Sequence, residues 1–137
     1  NDLSEKTGLK VIHFEKTNPG YNNVIKSAYT EGPLEFVNYI KNAEYVVATS
    51  FHATVFSIIY NKNFFIVPNK KTGARVINLL DKVGIKGRTF HDFNEFRNID
   101  FNLKNDWNKV NNKLEDERKK SINWLVNAID EKGEENE

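Results

Sequence analysis

Apolar residues change their spacing several times along the chain, and each change predicts an element of secondary structure. Two runs, at 45–48 and 64–67, are continuously apolar, which is typical of strands buried on both faces of a parallel sheet. A β-branched run at 9–14 predicts an earlier strand, and residues 88–90 predict a short edge strand. Residues 24–29 have no clear period and allow a short helix.

Residues at helical spacing lie between these strands. Pro33 suits the first position of a helix, because proline has no amide hydrogen to donate there. Gly84 follows an apolar stripe with helical spacing and suits a left-handed C-terminal cap. The spacing as a whole predicts helices over 33–42, 50–60, 73–83 and 106–130.

Strands and helices that alternate in this way are typical of βαβ units with right-handed crossovers. We therefore expect an α/β fold, a Rossmann-like parallel sheet with flanking helices, in a single domain over residues 1–130. The acidic residues 131–137 predict a disordered tail. The chain begins with Asn1 and contains no methionine, so we expect it to be a fragment of a longer protein with a neighbouring domain.

The composition argues against several classes of protein. The chain has 137 residues with 20 basic and 19 acidic side chains, and a net charge of +1 gives no electrostatic footprint for nucleic acid. No apolar run approaches the ~20 residues of a membrane span. There is no cysteine, which excludes disulfides and the usual structural zinc sites, and no other pattern calls for a metal. We expect a cytoplasmic protein.

A histidine follows the strand at 45–48, where the next helix begins. Ligands of open parallel sheets bind outside the carboxyl ends of the strands. Ser50 or Thr49 can cap the helix, which leaves His52 in its first turn, next to free amides that favour an anion. The alternative is a packed core histidine, because His52 shares a helix face with Val55 and Ile59.

Polar side chains also follow the strand at 64–67. Asn69 comes first, and Arg75 lies in the first turn of the following helix, where its planar guanidinium suits a carboxylate or a phosphate. The two strand ends together favour a small, highly anionic ligand. Neither end carries the carboxylate that usually binds a ribose, and Glu31 is the one acidic residue that would favour a nucleotide instead.

The sequence resembles the C-terminal half of the polysaccharide pyruvyl transferases. The matching stretches are GPLEFVNYIKNAEYVVATSFHATVFSIIYNKNFFIVPN, ARVINLLDKVGI, GRTF and VNNKLEDERKKSINWL. His52 coincides with the histidine of the family motif and Arg75 with its downstream arginine. Many members have glycine where this chain has Ala53, and some have arginine where it has Ser50.

The resemblance implies the second Rossmann-like domain of a two-domain enzyme similar to GT-B glycosyltransferases. Such an enzyme transfers pyruvyl from phosphoenolpyruvate, its co-substrate, to hydroxyls of a saccharide acceptor during the biosynthesis of cell-surface polysaccharides, and needs no other cofactor. On this interpretation His52 is catalytic, and the substrate-binding residues are Glu31, Thr49, Ser50, Asn69 and Arg75. The fragment alone would be inactive, because the missing N-terminal domain is its partner in catalysis.

Two alternatives remain open from the sequence. One is a GT-B glycosyltransferase domain that uses a nucleotide sugar, for which a ribose-binding carboxylate, with Glu31 as the candidate, would be the sign. The other is a non-catalytic domain that binds a carbohydrate or a protein partner. A site in which His52 is sealed beneath Phe51 and Phe56 would favour this alternative.

Overall fold

The computed structural model describes residues 2–17, 20, 22–71 and 73–134. Helices and parallel strands alternate along most of this part of the chain, which confirms the α/β class. The elements in chain order are α1 (Asp2–Thr7), β1 (Val11–His13), β2 (Val24–Ser27), α2 (Pro33–Asn42), β3 (Tyr45–Ala48), α3 (Phe51–Ile59), β4 (Asn63–Ile66), α4 (Gly73–Val83), α5 (Phe93–Arg97) and α6 (Trp107–Glu134).

The strands β3 and β4 pair in parallel, with Val46 opposite Phe64. Both continuously apolar runs of the sequence are therefore strands, as predicted. A parallel bridge joins Ile66 to Thr89, so residues 88–90 extend this pair on the far side of β4. The carboxyl ends of β3 and β4 consequently lie side by side, and each leads into the helix that follows it.

The two strands differ in how far they are buried. Phe64, Phe65 and Ile66 of β4 have no exposed surface, so β4 is buried on both faces as predicted. On β3, Val47 is 51% exposed, and the prediction that this strand is also buried on both faces is wrong. A continuous apolar run shows that both faces of a strand can be buried. Whether each face is buried depends on which other elements pack against it, and these are distant in sequence.

The segment at 24–29 forms part of a strand, and the short helix allowed by the sequence is wrong. Val24 pairs in parallel with Val11 of β1, where β-branched side chains are favourable. Tertiary pairing therefore overrides the weak local preference. Within the described residues, β1–β2 and β3–β4 are separate two-stranded sheets, whereas the sequence predicted one continuous sheet.

Helices α2 and α4 begin and end as their sequence signals predict. Pro33 is the first residue of α2. Gly84 follows α4 with φ +75°, and the amide of Ile85 donates to the carbonyl of Leu80 at 2.9 Å, which closes a Schellman-type cap. These boundaries are correct because caps depend on residues within one helical turn.

Helix α6 is one continuous helix of 28 residues. Its first half packs on the core through Trp107, Val110 and Leu114. Its end includes residues 131–134, which the sequence assigned to the disordered tail, while residues 135–137 of that tail lie outside the described residues.

Two short helices, α1 and α5, were not predicted. Each is too short to show a helical period in the sequence, since α5 has 5 residues and α1 has 6. The cap of α5 is recognisable afterwards: Asp92 Oδ1 accepts from the amides of Asn94 and Glu95 at 2.7 and 2.9 Å. The available signal was an aspartate, Asp92, followed three residues later by Glu95, the spacing of a capping box.

A buried arginine lies beside β4. Arg88 has no exposed surface, and its guanidinium lies over the ring of Phe65, with Cζ 5.3 Å from the ring centroid. One guanidinium nitrogen donates to the carbonyl of Leu103, while Nε and Nη1 have no hydrogen-bond partner in the described part of the chain. Burial lowers the pKa of Arg88, and Tyr45 and Asp100 partly oppose this effect. Arg88 thus fixes the 98–106 connection to the sheet.

Candidate functional site

Ser50 caps the N-terminus of α3, as the sequence predicted. Its backbone is extended, with φ −90° and ψ 134°, and its Oγ accepts from the amide of Ala53 at 3.5 Å. The Ser50 carbonyl accepts from the amide of Thr54 at 3.2 Å. The amides of Phe51 and His52 belong to the first turn, where no carbonyl of the same helix can accept from them. This end of α3 therefore presents donors and the positive end of the helix dipole.

His52 is the second residue of α3, and its side chain is exposed. It is therefore not the packed core histidine that the sequence left open. Within the described residues its imidazole makes no hydrogen bond or ion pair, and its ring meets the Phe51 ring edge to face, with centroids 6.2 Å apart and planes at 77°. The exposed imidazole of His52 is therefore available to a ligand at this edge.

Asn69 connects the two strand ends. Its side-chain amide donates to the carbonyl of Thr49 at 3.4 Å, across the gap between β4 and β3. Its Oδ1 accepts from the amide of Lys71 at 2.9 Å, and its carbonyl accepts from the amide of Gly73 at 2.8 Å. Asn69 and Thr49 therefore lie together as expected, and Asn69 organises the loop that leads into α4.

Arg75 is exposed in the first turn of α4. Its Cζ lies 5.2 Å from the centroid of the Phe51 ring, within the range of a cation–π contact. Within the described residues it makes no hydrogen bond or ion pair, so its N–H groups remain available. Arg75 and His52 come from different helices and contact the same ring, so the structure brings these two predicted residues together.

Phe51 is the residue of this edge that the sequence analysis did not select. Its apolar character suggested only a core position, and it does pack against the core cluster while remaining partly exposed. The available signal was its place between the helix cap and His52, in a turn that borders the strand ends.

Glu31 lies elsewhere, in the connection between β2 and α2. Its Oε1 pairs with the Lys26 ammonium and accepts from the Tyr39 hydroxyl at 3.2 Å, and Lys26 Nζ donates to the same hydroxyl at 2.7 Å. The hydrogen bond from Lys26 lowers the pKa of Glu31, and the bond to Glu31 raises the pKa of Lys26. The observed contacts of Glu31 link β2 to α2, and its role in substrate binding stays a prediction.

Replacing Glu31 by glutamine is expected to lower the thermal midpoint at neutral pH and to have no effect in acid. Because the folded state lowers the pKa of Glu31 below 4.5, the stabilisation is present above that pH and is lost as the pH falls through the lowered pKa. At the alkaline end, the stabilisation is fully present below 10.5, the ordinary pKa of lysine, and is lost only as the pH rises through the raised pKa of Lys26. Thermal unfolding of both proteins across this range measures the difference.

The matched control is Glu44→Gln, since Glu44 is exposed and has no ion pair among the described residues. A difference between wild type and the Glu31 variant that persists unchanged in acid would contradict the assignment of the ion pair.

Two grooves of the molecule lie away from this edge. One of about 720 Å³ runs between α3, α4 and α6, where its lining includes Val55, Leu79 and Leu114. A second, of about 230 Å³, lies beside Ile85 and Thr89. Neither groove is lined by Ser50, His52, Asn69 or Arg75, so the candidate residues lie on a different part of the surface.

Two kinds of feature are absent from the residues that the structure describes. No group of three or more histidine, cysteine or acidic side chains is arranged to hold a metal ion. None of the helices has the length and apolar character needed to cross a bilayer. The other two histidines lie in other parts of the fold. His13 is buried at the end of β1, and His91 is exposed beside α5.

Comparison with known proteins adds an independent observation. No curated protein and no solved structure gives a significant match. The family model described as polysaccharide pyruvyl transferase matches residues 3–71, a range that includes His52 and Asn69 and ends before Arg75. Because this match covers half of the 137 residues, the chain is a member of the polysaccharide pyruvyl transferase family.

Proposed function

We propose that this domain binds phosphoenolpyruvate at the carboxyl ends of β3 and β4 for transfer of its pyruvyl group to a saccharide. The observation that carries the proposal is the shared contact of His52 and Arg75 with Phe51 at that edge. Phosphoenolpyruvate is compact and carries a phosphate and a carboxylate. Arg75, which has no ion pair among the described residues, and the N-terminus of α3 are suited to these two anionic groups.

His52 supplies the proton chemistry in this proposal. Pyruvyl transfer begins with protonation of the enol carbon of phosphoenolpyruvate, which leaves an oxocarbenium-like centre at the adjacent carbon. A sugar hydroxyl attacks this centre and releases its proton, and a second hydroxyl displaces phosphate to complete the ketal. An exposed imidazole can serve as general acid or base, or as a cation that stabilises the departing phosphate.

The saccharide acceptor is expected to bind between this domain and an N-terminal domain of the same enzyme. The second half of α6 supports such a partner, because it carries large apolar side chains that no described element covers. Trp124 is 72% exposed and Ile129 is 62% exposed. We propose that the first domain packs on this half of α6.

The two alternatives are less well supported by the observed contacts. A nucleotide-sugar site requires a carboxylate for the ribose, and the candidate, Glu31, is already paired with Lys26 and Tyr39. A non-catalytic domain would fit a His52 sealed under its aromatic neighbours, and His52 is exposed.

Phosphoenolpyruvate is expected to raise the thermal midpoint of this chain, whereas a nucleotide sugar such as UDP-glucose is expected to leave it unchanged. At about 100 times the dissociation constant, a ligand of the folded state adds about 2.7 kcal/mol. Arg75→Ala should weaken the binding about ten-fold or more, because a charge-assisted pair is lost. Differential scanning fluorimetry with titration of each compound measures both effects.

Arg118→Ala is the matched control, because Arg118 is an exposed arginine on α6, remote in sequence from the strand ends. A stabilisation by UDP-glucose with none by phosphoenolpyruvate would replace the proposed function by that of a glycosyltransferase. Equal losses of affinity in the two arginine variants would remove Arg75 from the site.

A further inference from the structure

The Phe51 side chain is anchored by packing against the core of the domain. It occupies the first position of α3 and packs against the core cluster that contains Ile58, Phe64 and Val76. The helix cap at Ser50 fixes the backbone on its other side. A ring anchored in this way has few alternative positions, so a group that contacts it is held at a defined place.

The ring restricts the arginine of the neighbouring helix. Arg75 belongs to α4 and has no hydrogen-bond or ion-pair partner among the described residues. Without the contact with Phe51, its long side chain would be free to move. The contact with Phe51, at 5.2 Å, orients the guanidinium and leaves its N–H groups unused. Arginine stacks on an aromatic face in this way while its donors stay available to an anion.

The same ring borders the histidine. The His52 imidazole stands nearly perpendicular to Phe51 at 6.2 Å between centroids. Phe51 thus contacts both His52, the proposed acid or base, and Arg75, the proposed anion-binding residue. A leucine at this position would fill the core equally well, but it would have neither the face for a guanidinium nor the flat edge for an imidazole.

We propose that Phe51 is a positioning residue that holds Arg75 and His52 together as one anion-binding pair. This inference rests on the proposed function for its ligand, phosphoenolpyruvate, but the arrangement of the side chains can be tested without any ligand. Phe51 touches no reacting atom. It acts by reducing the freedom that Arg75 would lose on binding, which is the general benefit of preorganisation.

The first test uses the ligand-free chain and three variants. In wild type, the ring current of Phe51 should shift the NMR resonance of the Arg75 Nε–H proton upfield. Phe51→Leu should remove this shift and Phe51→Tyr should retain it. Phe56→Leu is the matched control, because it removes another aromatic ring of α3, one that packs on Phe36 at 6.3 Å. Phe56→Leu should leave the resonance of Arg75 in place.

The second test measures binding of phosphoenolpyruvate and of inorganic phosphate by calorimetric titration. Phe51→Leu should weaken both about five-fold, the range of a partly exposed cation–π contact, and Phe51→Tyr should restore the affinity. Phe56→Leu should bind like wild type. Thermal unfolding of each variant shows whether its loss of affinity is accompanied by a loss of stability.

The outcomes separate the two proposals. If wild type binds neither compound but Phe51→Leu still moves the Arg75 resonance, the proposed function fails and the positioning role stands. If the resonance of Arg75 and the affinities are the same in wild type and Phe51→Leu, the positioning role is wrong. Equal losses of affinity in Phe51→Leu and Phe56→Leu would also overturn it.

Discussion

Under the proposed function, replacing His52 by alanine is expected to lower the turnover of the full-length enzyme about 100-fold or more. A positioned general acid or base contributes about 100- to 10,000-fold, and His52 is the residue to which the proposed function gives that role. The folded state should be unaffected, because His52 is exposed and makes no hydrogen bond within the described residues. The measurement is the release of phosphate from phosphoenolpyruvate in the presence of the saccharide acceptor.

His91→Ala provides the control for this experiment, since it removes an exposed histidine next to α5 instead. Its turnover should equal that of wild type. If His52→Ala also retains full turnover, His52 has no part in the chemistry, and the binding of phosphoenolpyruvate would have to be judged on Arg75 alone.

Replacing Phe64 by alanine is expected to destabilise the domain by about 3 to 5 kcal/mol. Phe64 of β4 has no exposed surface. It belongs to the core cluster together with Ile58 of α3 and Val76 of α4. Its removal combines the loss of transferred apolar surface with a cavity that the surrounding helices cannot fully close. Since small domains are stable by only about 5 to 15 kcal/mol, this single change consumes much of the total.

Urea denaturation followed by circular dichroism measures the free energy of unfolding of the two proteins. Leu34→Ala is the control, because Leu34 is a large apolar residue of α2 that is 81% exposed, and its change should be small. A Phe64 variant as stable as wild type would show that β4 is not part of the core.

The candidate site was predictable to the extent that it depends on strand ends. Ser50, His52 and Arg75 each follow a strongly apolar run, and a parallel sheet places the residues after neighbouring strands at one edge. The contact between His52 and Arg75 through Phe51 was not predictable, because a phenylalanine in an apolar helix has the same pattern whether its ring meets solvent or core.

The fold was predictable where short-range rules decide it. The helix over 73–83 and its cap at Gly84 agree with the structure, since both depend on residues within one turn of each other. The strand at Val24–Ser27 was missed, because its four residues of mixed polarity show no strand pattern of their own and the strand forms only by pairing with β1. The buried Arg88 was also unexpected, since a charged residue is normally assigned to the surface.

The sequence by itself determined the α/β class, the strands β3 and β4, the helix boundaries at Ser50 and Gly84, and the resemblance to the pyruvyl transferases that the family match over residues 3–71 confirms. The tertiary structure alone decided that the described strands form two separate pairs, that Glu31 is engaged by Lys26, and that one ring joins His52 to Arg75. The physical reason is the range of the interactions. Caps and periods arise between residues a few positions apart, whereas pairing, burial and contacts between α3 and α4 arise between segments that only folding brings together.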